Sequence, residues 1–358
     1  MRVVRYLSIA LAGLALAAFA TGTTLAAEPS AGAKALAAAA DKEGSLNVMW
    51  GEGTLGGLDG LGHFQDQINA AYGTHLKFTF TPGPSMPAMG NQIATMIAAG
   101  QPSPSDIYIA YVRTMATLAP RHMFLKADWT SLGVPADAVE EDGTMVRLVS
   151  ALPGILYNTQ KVPYKPESLS DFLKPEWKGK IASTPYVANF DILASNIGWG
   201  PERALDFANK VSPNLAGLLR CDEPDRLASG EFIAYFITCT GNDADDLIKK
   251  GAPLAQVVPR DFAVLGYFYL SVPTNAPHPN AAKLFVAHAL TPEGQKLVYD
   301  DWGSDLDLLP GSRTHERILK VEKDYGVKME RFTVADELNN KAGNEAWTKI
   351  GKIIGDQK

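Results

Sequence analysis

The chain has 358 residues, 46% of them apolar and 20% charged, with a formal net charge of −6. That length exceeds the point at which a single hydrophobic core stops growing, so two lobes are expected. A mildly acidic chain without a lysine or arginine cluster argues against nucleic acid as a partner.

Residues 1–27 read as a signal peptide. Arg2 and Arg5 precede an apolar run over 6–20, and small residues lead to Thr24-Leu25-Ala26-Ala27, a cleavage site after Ala26 or Ala27. The run is shorter than the roughly 20 residues of a membrane span, and no cysteine follows it to carry a lipid. Cleavage would leave 331 residues (358 − 27) and a formal charge of −8, because two arginines leave with the signal. The expectation is an exported, periplasmic protein, monomeric and not lipid-anchored.

An alanine-rich helix over 31–43 comes next, ended by Gly44. Leu46-Asn47-Val48-Met49-Trp50 is a short strand between glycines. Helices at 60–72 and 89–99 alternate with strands at 76–80 and 106–110, a βαβ pattern that predicts a parallel sheet under helices. Pro153 and Gly154 interrupt an apolar run and suit a chain crossing between lobes better than a central strand. The second unit has helices at 167–173, 201–210 and 243–250, and strands at 180–184, 215–220 and 232–238. A second crossing is expected at 258–260, and a strand over 264–272 returns to the first lobe. Proline in the first turn marks a helix after His278, and Thr291 is a good N-cap for another. The tail, 313–358, is charged and helical and is expected on the second lobe. The two cysteines of an exported chain are most simply one disulfide, Cys221 to Cys239.

Residues 156–182, LYNTQKVPYKPESLSDFLKPEWKGKIA, carry the most specific pattern. This order, a Tyr-Asn-Thr strand end, then Pro-Glu-Ser-Leu-Ser-Asp-Phe-Leu, then Pro-Glu-Trp-Lys-Gly-Lys-Ile, resembles the extracellular solute-binding proteins of bacterial ABC importers. His278-Pro279-Asn280-Ala281-Ala282-Lys283-Leu284-Phe285 and Thr291-Pro292-Glu293-Gly294-Gln295 resemble a second block of that family. The nearest branch is the one holding ferric-iron, polyamine and thiamine binding proteins. The resemblance implies the type II periplasmic binding protein fold, two α/β lobes, each a mostly parallel sheet flanked by helices, with the ligand cleft between them. The expected division is 45–152 plus 261–300 for lobe 1, and 153–260 plus 301–358 for lobe 2. Expected partners are a small-molecule ligand and the permease subunits of an ABC importer in the inner membrane; no cofactor is implied. A ligand-sensing subunit for a membrane receptor is the alternative of another class.

In open α/β sheets ligands bind beyond the carboxyl ends of the strands. On that rule the first lobe offers Trp50, Glu52, Gly53, Thr54, Ser85, Tyr111 and Arg113. The second offers Tyr186, Asn189 and Thr238, and Arg260 and Tyr267 lie towards the floor. Trp50 can stack on a ligand or close the core. Glu52 suits a cation, and Arg113 and Arg260 suit a carboxylate or phosphate, so the charge sign of the solute stays open. Ferric-binding relatives carry adjacent tyrosines after a Ser-Gly-Glu strand. Here Ser229-Gly230-Glu231 is present, but the slot reads Phe236-Ile237-Thr238-Cys239-Thr240. Tyr267 and Tyr269 are the remaining alternate pair. No catalytic motif appears, the six histidines are scattered, and an enzyme is not expected.

Overall fold

The computed structural model describes residues 29–355; the expected signal segment lies outside the described residues. α1 (Ala31–Glu43) opens at Ser30, whose Oγ accepts the Ala33 N–H at 3.0 Å, and stops at Gly44, with φ 72°. β1 (Ser45–Trp50) buries every second residue, Leu46, Val48 and Trp50. α2 (Gly57–Tyr72), β2 (Lys77–Pro82), α3 (Met86–Ala98), β3 (Tyr108–Tyr111) and α4 (Val112–Leu118) follow. After an irregular stretch, β4 (Val146–Ala151) and β5 (Ile155–Asn158) flank Pro153 and Gly154.

The second lobe holds β5, β6 (Ile181–Ser183), α5 (Phe190–Leu193), α6 (Pro201–Val211), β7 (Leu215–Leu218), α7 (Asp225–Ala228), β8 (Ala234–Phe236), α8 (Asp245–Lys249) and β9 (Leu254–Val257). β10 (Val264–Ser271), α9 (Pro279–Ala289) and α10 (Pro292–Trp302) return to the first. α10 begins as its sequence predicts: Thr291 Oγ1 accepts the Gly294 N–H at 3.0 Å, with Pro292 in the first turn. The tail is α11 (Arg313–Tyr325), β11 (Glu330–Arg331), α12 (Val334–Leu338) and α13 (Lys341–Ile354).

The sheets are mixed rather than mostly parallel. β1 and β2 are parallel, and a parallel bridge from Val48 to Ile107 joins β1 to the start of β3. β10 runs antiparallel to both β3 and β4. In the second lobe the order is β7-β6-β8-β5-β9, with β6 parallel to β7 and β8, and β5 antiparallel to β8 and β9. The antiparallel strands are those next to the crossings. β5 leaves and β10 re-enters a lobe from the end opposite to its βαβ strands, which reverses their direction. The tail also divides. β11 pairs with β10 and α12 packs on α4, so this part of 301–358 joins the first lobe, whereas α13 packs on α5 and α6.

Two segments join the lobes beside each other. Leu152 donates its N–H to the Thr240 carbonyl at 2.9 Å, and Thr238 donates to the Gly154 carbonyl at 2.8 Å. Gly154 is required there, because a Cβ would stand 2.8 Å from the Val257 carbonyl oxygen. The second crossing is pinned to the motif block. Asp261 accepts from Leu169 N at 2.8 Å and from Ser170 Oγ at 2.9 Å, and Arg260 N donates to Glu167 O at 2.8 Å. That block is a packing unit: Trp177, 2% exposed, lies 4.8 Å from the Phe172 ring.

Candidate ligand cleft

Strand ends from both lobes face each other over β10. On the first lobe the chain turns after β1, where Thr54 N donates to Gly51 O at 2.8 Å. Glu52 and Gly53 are exposed there and Thr54 is buried. Glu52 makes no ion pair among the described residues. Ser85 is exposed at the N-cap of α3, and its hydroxyl caps no helix N–H. Tyr111 ends β3 and leans on Phe268 of β10, ring centroids 5.0 Å apart. Phe268 in turn packs on Trp302 at 4.7 Å.

On the second lobe the loop after β6 carries Tyr186 and Asn189. Asn189 is buried, with φ 60°, and its amide is fully used. Nδ2 donates to Thr238 O at 2.8 Å and Cys239 O at 3.0 Å, and Oδ1 accepts from Tyr111 Oη at 2.7 Å. That last bond spans the two lobes. Beneath it Gly266 leaves the necessary room, since a Cβ would come within 2.3 Å of Tyr111 Oη. Burial, with Asp191 and Glu337 nearby, pushes the Tyr111 phenol well above its ordinary 10, so it stays a neutral donor.

Backbone strain collects around this contact. Among the described residues five non-glycine positions have positive φ. Of these, Leu55 (48°) follows β1, Val187 (44°) and Asn189 (60°) follow β6, and Ile237 (54°) follows β8. For β-branched Val187 and Ile237 that conformation is a true outlier. Strain of this kind persists where surroundings over-determine the backbone, and it favours binding sites. The Cys221–Cys239 disulfide ties the ends of the loops after β7 and β8, its Cα atoms 5.9 Å apart. Tyr186, 46% exposed, accepts the Cys221 N–H at 3.1 Å.

Several expected contacts have other employment. Trp50 is 3% exposed and packs on Phe80 and Phe285, with centroids 6.5 and 6.2 Å away, so it closes the core instead of lining the cleft. Tyr267 is 1% exposed on the face of β10 opposite Phe268, under the Arg147 guanidinium at 5.3 Å. Thr238 is fully buried, and its Oγ1 accepts the Gly154 N–H at 2.8 Å. Arg260 is exposed beside the motif block. Arg113 reaches across to Glu337 Oε1 at 2.9 Å, Asp191 Oδ2 at 4.0 Å and Asn344 Oδ1, with its guanidinium 3.9 Å over the Trp347 ring. Asp191, Glu337, Asn344, Trp347 and Gly266 are the parts of the site that the sequence reading missed, whereas Phe268 belongs to the aromatic run 267–269 expected at the floor. Tyr267 and Tyr269 pack edge to face at 6.2 Å inside the sheet. Among the described residues no group of three or more His, Cys, Asp or Glu side chains is placed to hold a metal ion.

A cavity of about 950 Å³ lies elsewhere on the first lobe, between Tyr72, His288, Glu293, Tyr299 and Arg313. It is edged by Pro29 and Ser30, the first described residues, and no strand end opens into it. The interlobe face therefore remains the candidate site.

The family model "Bacterial extracellular solute-binding protein" matches residues 63–310. No curated protein is detectably similar in sequence. Among solved structures, iron-bound HitA from Pseudomonas aeruginosa is similar at a TM-score of 0.66 and 18% identity, covering 86% of this chain and 99% of that one. The substrate binding protein of an ABC transporter from Agrobacterium tumefaciens gives 0.69 and 15%, covering 86% and 95%. AfuA from Actinobacillus pleuropneumoniae, with fructose-6-phosphate bound, gives 0.63 and 15%, covering 87% and 98%. Two of these name different ligands, iron and fructose-6-phosphate, on a similar fold, so the fold alone does not name a solute. With the family model spanning more than half of its length, the chain belongs to the bacterial extracellular solute-binding proteins.

Proposed function

We propose that this chain is the periplasmic capture subunit of an ABC importer, closing its lobes on a small polar organic solute that carries charge and presenting it to the inner-membrane permease. The observation that carries the reading is the Tyr111–Asn189 hydrogen bond, which joins a strand end of one lobe to a strand end of the other, with strained Val187 and Ile237 close in sequence to Asn189 and Thr238. A solute entering between these loops inherits Tyr111, Asn189, Tyr186, Ser85 and the Gly51-to-Thr54 turn as polar partners. Closure then needs only higher affinity for the closed form than for the open one. Pro153, Gly154 and the 258–260 segment are the hinge, because they carry the chain from one main sheet to the other and back. Arg113 is already paired with carboxylates, Glu52 is exposed and unpaired on the β1 turn, and the exposed Arg260 sits beside the motif block, away from that turn. That balance favours a positively charged group on the solute.

A thermal-shift screen of the mature protein against polyamines, amino acids, organic acids, sugar phosphates, thiamine and ferric citrate tests this. Ligand at 100 times its Kd adds about 2.7 kcal/mol of stability, and Glu52→Gln should cut the shift for a cationic hit to half or less. A hit confined to anions would overturn the role given to Glu52. Stabilisation by ferric citrate alone would replace the organic solute with iron.

A further inference from the structure

Arg113, on α4 of the first lobe, inserts its guanidinium among groups of the second lobe, Asp191 on α5 and Asn344 and Trp347 on α13. Glu337 on α12 shares it from the first-lobe side. Asp191 is 2% and Glu337 5% exposed, so two buried carboxylates face one half-buried guanidinium. The other groups at Glu337 are uncharged: Asn340 Nδ2 approaches at 3.4 Å, Asn344 shares Arg113, and the Tyr111 phenol of β3 stays neutral. Asp336 on the same helix is turned to its Thr333 cap, and Lys341 and Glu345 of α13 are exposed. Among the described residues no second cation pairs with Asp191 or Glu337. A buried site holding one charge too many is costly unless it is neutralised.

We infer that Arg113, Asp191 and Glu337 form a proton-operated latch between the lobes, in which Glu337 takes up a proton as the lobes close. The inference rests on the closing motion proposed above. Burial first, and Asp191 second, push Glu337 up to about 7, with Arg113 opposing them; burial raises Asp191 as well. Opening withdraws Asp191 and readmits water, which returns Glu337 towards the ordinary 4.5 of a glutamate. The form with the raised value binds the proton more tightly. Closure is therefore most favoured below about pH 4.5 and loses support as the pH rises to about 7. Above that, two carboxylates compete for one guanidinium. Arg113, Asp191 and Glu337 act here as positioning residues, without touching the solute.

The test is small-angle X-ray scattering of the ligand-free mature protein at pH 5, 6, 7 and 8.5. Wild type should be more compact at pH 5 than at pH 8.5, the closed-to-open ratio falling by at most about tenfold per pH unit, the limit for one linked proton. Glu337→Gln, a neutral near-isostere, should be compact at both ends of the range, and Arg113→Ala should be open at both. A Glu337→Gln protein that keeps the wild-type pH dependence would overturn the latch. So would a wild type of constant size, or an Arg113→Ala protein as compact as wild type at pH 5. Should Arg113→Ala not fold, Glu337→Gln decides alone. With no solute in the sample, failure of the latch leaves the capture reading standing, and a blank ligand screen leaves the scattering result standing.

Discussion

Two of the contacts between the lobes are built on opposite principles. The Tyr111–Asn189–Thr238 chain is neutral, and every donor and acceptor in Asn189's amide has a partner. The Arg113–Asp191–Glu337 cluster is charged and carries one carboxylate in excess. A satisfied neutral chain fixes geometry at little electrostatic cost. An unbalanced buried ion cluster couples the same closure to the proton concentration. The difference teaches that closure in this chain has a register, set by hydrogen bonds, and a gain, set by charge.

Breaking the charged contact should have the largest effect. Arg113→Ala removes the cation that holds Asp191 and Glu337 in the closed form, so the lobes open and up to about 3–5 kcal/mol of buried ion pairing is lost. Differential scanning calorimetry should show a larger loss against wild type at pH 5, where the wild-type latch is closed, than at pH 8, where it has already lost its proton. The second break is at the neutral contact. Gly266→Ala puts a Cβ 2.3 Å from Tyr111 Oη and 3.0 Å from Ile192 Cδ1, an overpacking cost of about 1–3 kcal/mol. It should also weaken solute binding, because the Tyr111 ring must leave its place over β10. Tyr111→Phe is milder. It removes one hydrogen bond and strands the Asn189 carbonyl, about 1 kcal/mol or somewhat more. Its effect should be the same at pH 5 and pH 8, whereas that of Arg113→Ala should not. Equal pH dependence in both variants would erase the distinction between the two contacts.

Much of the scaffold was legible because local rules decide it. Ser30, Thr291 and the prolines at 279 and 292 announce their helices. The Leu46-Val48-Trp50 alternation announces β1, and it also contained the answer for Trp50. With period two, Trp50 belongs to the buried face of Leu46 and Val48, and reading it as a cleft residue set chain position above strand parity. Tyr267 lacked that warning. β10 is covered on both faces, so nearly every residue is buried and alternation cannot tell floor from back. Phe268 rather than Tyr267 faces Tyr111. Strand direction at the crossings and the partners of Arg113 were not legible at all. Glu337 and Asn344 lie more than two hundred residues from Arg113 in sequence, and no periodicity connects side chains that meet only when two lobes close.

The smallest expected effect on stability is the sharpest on function. Glu52 is exposed, lies outside both interlobe contacts and makes no ion pair among the described residues, so Glu52→Gln should change the melting point of the ligand-free protein by no more than about 0.5 kcal/mol equivalent. Its carboxylate nevertheless stands on the turn that a solute meets after β1, three residues before the left-handed Leu55. For a cationic solute, isothermal titration of Glu52→Gln should show a loss of about 1.5–3 kcal/mol, the ordinary value of a charged hydrogen bond, with the loss reduced at high salt. Unchanged affinity would move the charge-reading group away from the β1 turn and leave the neutral Tyr111–Asn189 pair as the part of the cleft that selects the solute.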